Sequence, residues 1–443
     1  MSVANQPLRP SPRVRRAQVT ALALMVAGGI FNYMDRATMA VANSAIREDL
    51  GVSLSQMGWL LSAFAWSYAL AQLPVGGAVD RVGPRRLFGF GLVLWSLAQA
   101  AGGLVHSFTQ LFATRVVLGV GEAPQFPSAA RVVSDWFPPR ERGVPTGIFV
   151  SSSPLGSAIA PLILTALMVW LSWRWMFVFA GLAGLVLAGV WFALYRAPAA
   201  LGLDAEEQRY LAGDDKPATD TSKPGFAQWR DLFAHRSTWG MIFGYSGSVY
   251  LNWVFLTWLP GYLATARGMD LMTSGLASSI PFFFGFIGCL VAGWLSDRLV
   301  RTTGGAVAGR KLPIVLTMLG MAAFTVPAAL VESNAVALAC ISVVIFLANA
   351  SSACSWALVS AVAPSDRVAS LGSVQNFGGF VGGALAPVVT GYIAQSWSFV
   401  PALLTGAAVA FAGAMSYLFL VRAPLPPAVA KSNDDHLVAA AAR

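Results

Sequence analysis

Residues 76–86 read Gly76-Gly77-Ala78-Val79-Asp80-Arg81-Val82-Gly83-Pro84-Arg85-Arg86, a basic turn set between two apolar runs. The pattern returns 217 residues later as Gly293-Trp294-Leu295-Ser296-Asp297-Arg298, with Arg310 and Lys311 following after an insertion. A second echo links Pro139-Arg140-Glu141-Arg142 with Pro364-Ser365-Asp366-Arg367. One charged turn alone would be a solvated loop. Gly76, Asp80 and Arg81 recurring at a single offset instead point to two equivalent halves in tandem. A parallel repeat of this kind places a substrate site between its halves, near the bilayer midplane.

The composition fits such a membrane repeat. The chain has 443 residues, 56% hydrophobic and only 11% charged, against roughly 25% charged in a soluble domain. A soluble protein of this size could not cover its surface with so few charges. The apolar excess excludes disorder, and three dispersed cysteines (Cys289, Cys340, Cys354) exclude a disulfide scaffold.

About 20 apolar residues carry a helix across the hydrocarbon core. Twelve such segments are expected at 19–43, 54–79, 87–107, 109–136, 143–170, 173–195, 239–263, 272–296, 312–331, 335–361, 368–395 and 398–421. The fold class is therefore an all-α membrane protein of twelve transmembrane helices in two six-helix, pseudo-symmetric bundles. The organisation is an N-terminal tail (1–18), a first bundle (19–195), a charged linker (196–238), a second bundle (239–421) and a C-terminal tail (422–443).

The basic residues then sort by loop. With the N-terminus cytoplasmic, 23 of the 29 Lys and Arg lie on the inner side, and only Arg47, Arg174 and Arg267 in outer loops. By the positive-inside rule both termini are cytoplasmic, in a bacterial inner membrane. The net charge of +9 thus records orientation, and a nucleic-acid partner is excluded because no basic, aromatic-lined groove is formed. The N-terminus looks like a signal sequence, but its apolar run continues through Asp35 with no cleavage site and reads as a retained first helix.

Ionisable residues inside spans are costly, at roughly 2.5–3.5 kcal/mol each on insertion scales. The first span holds Asp35 and Arg36, and the fourth holds Arg115 and Glu122. Seven residues separate Arg115 from Glu122, so they share a helix face about 10.5 Å apart along the axis. The first helix runs outward and the fourth inward, which makes an Asp35–Arg115 pair feasible, with Glu122 nearer the midplane. Two acids and two bases where leucines would be cheaper point to a proton relay coupled to an anion clamp.

The repeated Gly-x-x-x-Asp-Arg-x-Gly-x-Arg-Arg turn resembles the signature loop of the major facilitator superfamily, over residues 19–421. That resemblance implies gating roles for Asp80 with Arg81 or Arg85, and for Asp297 and Arg298. Three further stretches are similar to the anion:cation symporter branch: Asn32-Tyr33-x-Asp35-Arg36, Tyr68-x-x-x-Gln72-x-Pro74-x-Gly76, and Arg115-x-x-x-Gly119-x-Gly121-Glu122-Ala123-Pro124-x-x-Pro127. The branch includes sugar-acid, tartrate and phthalate permeases. The resemblance implies proton-driven uptake of a small organic anion, with Asp35 and Glu122 as proton carriers and Arg115 as the switching partner of Asp35. It gives Arg36 and Tyr68 as substrate contacts, and Asn376 as a further one; Tyr250 or Asn252 would line the same cavity.

Expected partners are the anion and the bilayer, with the chain acting as a monomer and protons as coupling ion. No cofactor, metal cluster, phosphate loop or nucleophile–base constellation is expected, and so no enzyme activity. The anion itself stays open among sugar acids, aromatic acids, dicarboxylates and sulfonates. An exporter of amphipathic compounds on the same fold, or a membrane sensor, is the alternative.

Overall fold

The computed structural model describes residues 10–138, 141–212, 230–303, 306–363, 368–422 and 424–425. Helix α1 runs Pro12–Val41, with the Ser11 hydroxyl accepting from the Val14 amide and Pro12 in the first turn, where its missing N–H is no loss. Arg13, Arg15 and Arg16 therefore stand on the helix, which begins seven residues before the apolar run expected from 19. After a short helix α2 (Asn43–Leu50), α3 (Leu54–Val82) opens on a capping box between Ser53 and Gln56.

The opening turn of the sequence is mostly helix. α3 continues through Asp80 and Arg81 to Val82, and only Gly83, at φ +83°, separates it from α4 (Pro84–Gly102). That left-handed backbone is where glycine is free and other residues are strained. The expected span 109–136 is two helices, α5 (Phe108–Glu122) and α6 (Gln125–Trp136). Pro124 has no N–H for the helical ladder and its ring crowds the preceding turn, so the ladder breaks just after Glu122 while Ala123 and Pro124 keep helical dihedrals.

Helices α7 (Gly143–Trp170) and α8 (Trp173–Leu194) complete the first half. The linker carries a helix of its own, α9 (Ala205–Ala212). It docks on the start of α1, with Ser11 Oγ donating to Glu207 Oε1 (2.5 Å) and Tyr210 Oη to Glu141 Oε2 (2.7 Å), over a small core of Val14, Leu203 and Tyr210. The second half comprises α10 (Arg236–Thr265), α11 (Leu271–Thr303), α12 (Ala306–Leu330), α13 (Asn334–Val362), α14 (Val368–Ser396) and α15 (Phe399–Leu420). The insertion around 299–311 is largely helical extension of α11 and α12.

The repeat read in the sequence is a repeat of packing. In the first half α1 packs on α7 and α8, α3 on α5, and α4 on α5 and α8; in the second, α10 packs on α14 and α15, α11 on α13, and α12 on α13 and α15. These are the same pairings. Across the seam α3 meets α14 and α7 meets α11. Among the described residues α1, α7, α8 and α11 to α15 are long and apolar enough to cross a membrane. Helices α3, α4, the broken α5–α6 pair and α10 complete two sets of six.

Candidate functional site

Consecutive helical residues point about 100° apart, so Asp35 and Arg36 face different neighbours. Arg36 faces the seam. Its Nε donates to Glu122 Oε2 at 3.1 Å, an ion pair with side chains 7% and 0% exposed. The guanidinium carbon lies 4.7, 4.6 and 5.1 Å from the ring centres of Tyr33, Phe64 and Tyr68. Three aromatic faces stabilise the charge through their quadrupoles where water cannot. Arg36 Nη2 and Glu122 Oε1 have no protein hydrogen-bond partner.

Asp35 faces the interior of the first half. It is 1% exposed and neither carboxylate oxygen accepts a hydrogen bond. Arg115, also buried, does not pair with it: Arg115 Nη2 donates to Gln99 Oε1 (2.9 Å) and the guanidinium lies over Phe177 (5.1 Å). The chain of contacts continues from Gln99 Nε2 to Thr38 Oγ1 (3.1 Å), whose hydroxyl donates to the Asp35 carbonyl (2.7 Å). The pairing that spacing made feasible is replaced here by Arg36–Glu122, with Asp35 and Arg115 each left without an opposite charge in contact.

The local sequence explains how the fourth span reaches this cluster. A Cβ on Gly119 would stand 2.6 Å from the Phe64 carbonyl oxygen of α3, and one on Gly121 would stand 2.8 Å from the Trp95 amide of α4. The two glycines let both neighbours close on the face that carries Arg115 and Glu122.

Toward the end away from the termini, the seam over this cluster is sealed. Met39, Leu60, Leu61 and Phe64 from one half meet Trp253, Leu256 and Thr257 from the other around a void of about 20 Å³, room for about one water molecule. The Phe64 and Trp253 rings stack across it, 6.4 Å apart. Further out, Ser62 Oγ donates to the Ala384 carbonyl, and the Ser55 amide donates to Gln395 Oε1 at 2.8 Å.

Tyr68 is buried beside the cluster, accepts from Gln72 Nε2 (2.8 Å) and meets Phe380 of α14 at 4.9 Å. The residues named from the second half are less concentrated. Tyr250 is turned toward Gly406 of α15, inside its own half, and its hydroxyl is buried without a hydrogen bond. Asn252 Oδ1 is also without one, and Asn376 is half-buried on α14. Tyr245 joins α10 to α13, sharing its hydroxyl with Ser352 (3.0 Å) and accepting from Trp356 Nε1 (3.2 Å).

Among the proposed gating residues, Arg85 Nη2 donates to the Phe192 carbonyl near the end of α8 (2.8 Å), and Arg81 is exposed. The side chains of Asp80, Asp297 and Arg298 lie outside the described residues. Gln99, Thr38 and Phe64 belong to the site and were not anticipated. Gln99 had a readable signal, a lone amide in an apolar span. Phe64 had none, because aromatic residues are common throughout such helices.

The chain is 43% identical over 419 residues, 94% of its length and 92% of the other's, to the "Probable L-galactonate transporter" of Escherichia coli K12. It is 34% identical to the "D-galactonate transporter" of Escherichia coli O6:H1 (94% and 98% covered). To the "Probable sulfoacetate transporter SauU" of Cupriavidus necator it is 32% identical, with 88% and 90% covered. In fold it matches a crystal structure of a bacterial homolog of the human lysosomal transporter Spinster, with a TM-score of 0.77, 18% identity, and 94% and 100% of the chains covered. The Major Facilitator Superfamily description matches residues 25–387. With this match, the doubled six-helix packing and relatives aligned along nearly the whole chain, the protein belongs to the major facilitator superfamily.

Proposed function

We propose that the protein takes up a small organic anion, of the sugar-acid kind, together with protons across the bacterial inner membrane. The Arg36–Glu122 ion pair carries this reading. A single guanidinium, held by three aromatic rings, serves a carboxylate of the protein where it could serve a carboxylate of the cargo. Protonation of Glu122 removes its claim on Arg36 and frees a charge-assisted donor for the anion. Asp35, buried without a partner, is a second proton acceptor, and Arg115 is the charge that can compensate it once ionised.

Protonation and anion binding thereby favour one another through the same arginine, which is the requirement for symport. The relatives named for L-galactonate, D-galactonate and sulfoacetate support an anionic cargo and fit a clamp that reads the anionic head. The two halves rocking about the seam give alternating access, and the sealed end would face outward under the orientation set by the basic loops.

The test is uptake into proteoliposomes of purified protein with an imposed pH gradient, against a panel of L-galactonate, D-galactonate, hexarates and sulfoacetate. Accumulation of one of these, driven by an acidic exterior and abolished in Glu122→Gln, supports the reading. Arg36→Ala should weaken binding of that anion at least tenfold. Gradient-driven accumulation persisting in Glu122→Gln would reject the coupling role, and unchanged binding in Arg36→Ala would reject the clamp.

A further inference from the structure

A cavity of about 460 Å³ opens between the start of α1 and the end of α8, well away from the seam. Its α1 wall holds Arg13, Arg16, Ala17 and Thr20, the i, i+3, i+4, i+7 spacing of one helix face. A third arginine, Arg196, comes from the segment just after α8, and Leu194 and Leu201 help to form an apolar floor. No carboxylate is among the lining residues. Topology alone explains basic residues on this side of the membrane. It does not explain why Arg13, Arg16 and Arg196, from two separate segments, converge on one hollow while Arg15 of the same helix turn stays out of it.

The height of the cavity identifies its occupant. It spans the point where α1 passes from basic residues to its apolar run and where the apolar run of α8 ends. Leu194, which lines it, is 56% exposed, so an apolar side chain continues from its rim along the surface that acyl chains cover. The hollow is thus polar and positive at headgroup level and apolar below. Arg13 Nη2 is anchored on the Leu201 carbonyl (2.5 Å), which fixes its position at the rim. The volume lies within the about 300–1,000 Å³ typical of ligand sites. Basic pockets between helices on the cytoplasmic side suit phosphodiester headgroups.

We infer that this cavity binds the headgroup of an anionic phospholipid, with Arg13, Arg16 and Arg196 holding the phosphate and the acyl chains leaving along α1 and α8. The site is independent of the transport reading and stands or falls without it. Each basic side chain near a bilayer surface is worth about fivefold in binding an anionic lipid.

The full chain, purified in detergent, is titrated with phosphatidylglycerol or phosphatidylcholine, and bound lipid is read by native mass spectrometry. Phosphatidylglycerol should bind in preference, about fivefold more weakly in Arg16→Gln and about a hundredfold more weakly in the Arg13→Gln, Arg16→Gln, Arg196→Gln triple variant. Ala17→Trp, which fills the hollow from its α1 wall and keeps all three charges, should lose the lipid as well. Equal retention in the triple variant overturns the site. Loss in the triple variant but not in Ala17→Trp overturns the cavity in favour of diffuse surface attraction. If inorganic phosphate or glycerol 3-phosphate displaces phosphatidylglycerol at equal concentration, the lipid is not the occupant and a soluble phosphate or phosphate ester is.

Discussion

Arg36 of α1 and Glu122 of α5 form a buried ion pair, Nε to Oε2 at 3.1 Å, at the seam between the two halves. Removing one member of such a pair leaves an uncompensated charge, at a cost of about 3–5 kcal/mol, whereas replacing both by apolar residues is often close to neutral. Glu122→Leu should therefore destabilise the protein by about that amount, and adding Arg36→Met should recover most of it. Thermal unfolding of the purified single and double variants checks the cycle. Additive losses would mean that the two side chains are not energetically coupled.

Asp35 stands differently. Its carboxylate is buried, with no hydrogen bond to either oxygen, so an ionised form has little in the fold to hold it. A neutral amide of the same shape should cost the fold nothing. Asp35→Asn is expected to keep or raise the melting temperature while reducing pH-gradient-driven accumulation at least tenfold and leaving exchange of the anion intact. The contrast with the destabilised Glu122→Leu separates a residue kept for proton transfer from one that also holds structure. A marked fall in melting temperature would contradict the unpartnered geometry.

Gln99 is the hydrogen-bond acceptor that holds Arg115 away from Asp35, through Arg115 Nη2 to Gln99 Oε1 at 2.9 Å. Hydrogen bonds to charged groups are worth about 1.5–3 kcal/mol. Gln99→Ala should cost about this much stability if Arg115 stays where it is. Less is lost if the freed guanidinium turns to Asp35, and Asp35→Asn added to Gln99→Ala distinguishes the two. Denaturation of Gln99→Ala with and without Asp35→Asn is the measurement, and a larger loss in the double variant identifies the turn.

The sequence shows the height of a residue in a span well and its direction around the helix poorly. The repeat and the four charges inside the spans were legible because charge is rare in hydrocarbon and stands out. The partner of each charge was not. Asp35 and Arg36 are adjacent, and which of them meets the fourth span depends on the rotation of α1. That rotation is set by close packing such as Gly156 of α7 against Ile30 and Tyr33, a tertiary fact. Helix α9 was hidden for another reason. Its capping box was present, with Asp204 Oδ1 accepting from the Glu207 amide and Glu207 Oε2 from the Asp204 amide, but the charges around it read first as a solvated linker. The break at Pro124 was written in the chain and became visible only where α5 and α6 part.

The sealed end of the seam, away from the termini, offers a test of conformation that leaves the charges untouched. Gly58 of α3 lies against α14, where a Cβ would stand 2.6 Å from the Pro387 carbonyl oxygen and 3.2 Å from Val388 Cα. Both are backbone atoms, so no side chain can rotate away to make room. Gly58→Val should therefore hold this end of the seam apart while the ion pair and the fold of each half persist. Cysteines placed at Ser62 and Ala384, both buried where the Ser62 hydroxyl now donates to the Ala384 carbonyl, would then react readily with a membrane-impermeant thiol reagent, and far less in the parent protein. Transport should fall at least tenfold, because the halves can no longer complete the closure. Protected cysteines in Gly58→Val would show that the seam accommodates the added carbons and that closure does not depend on this contact.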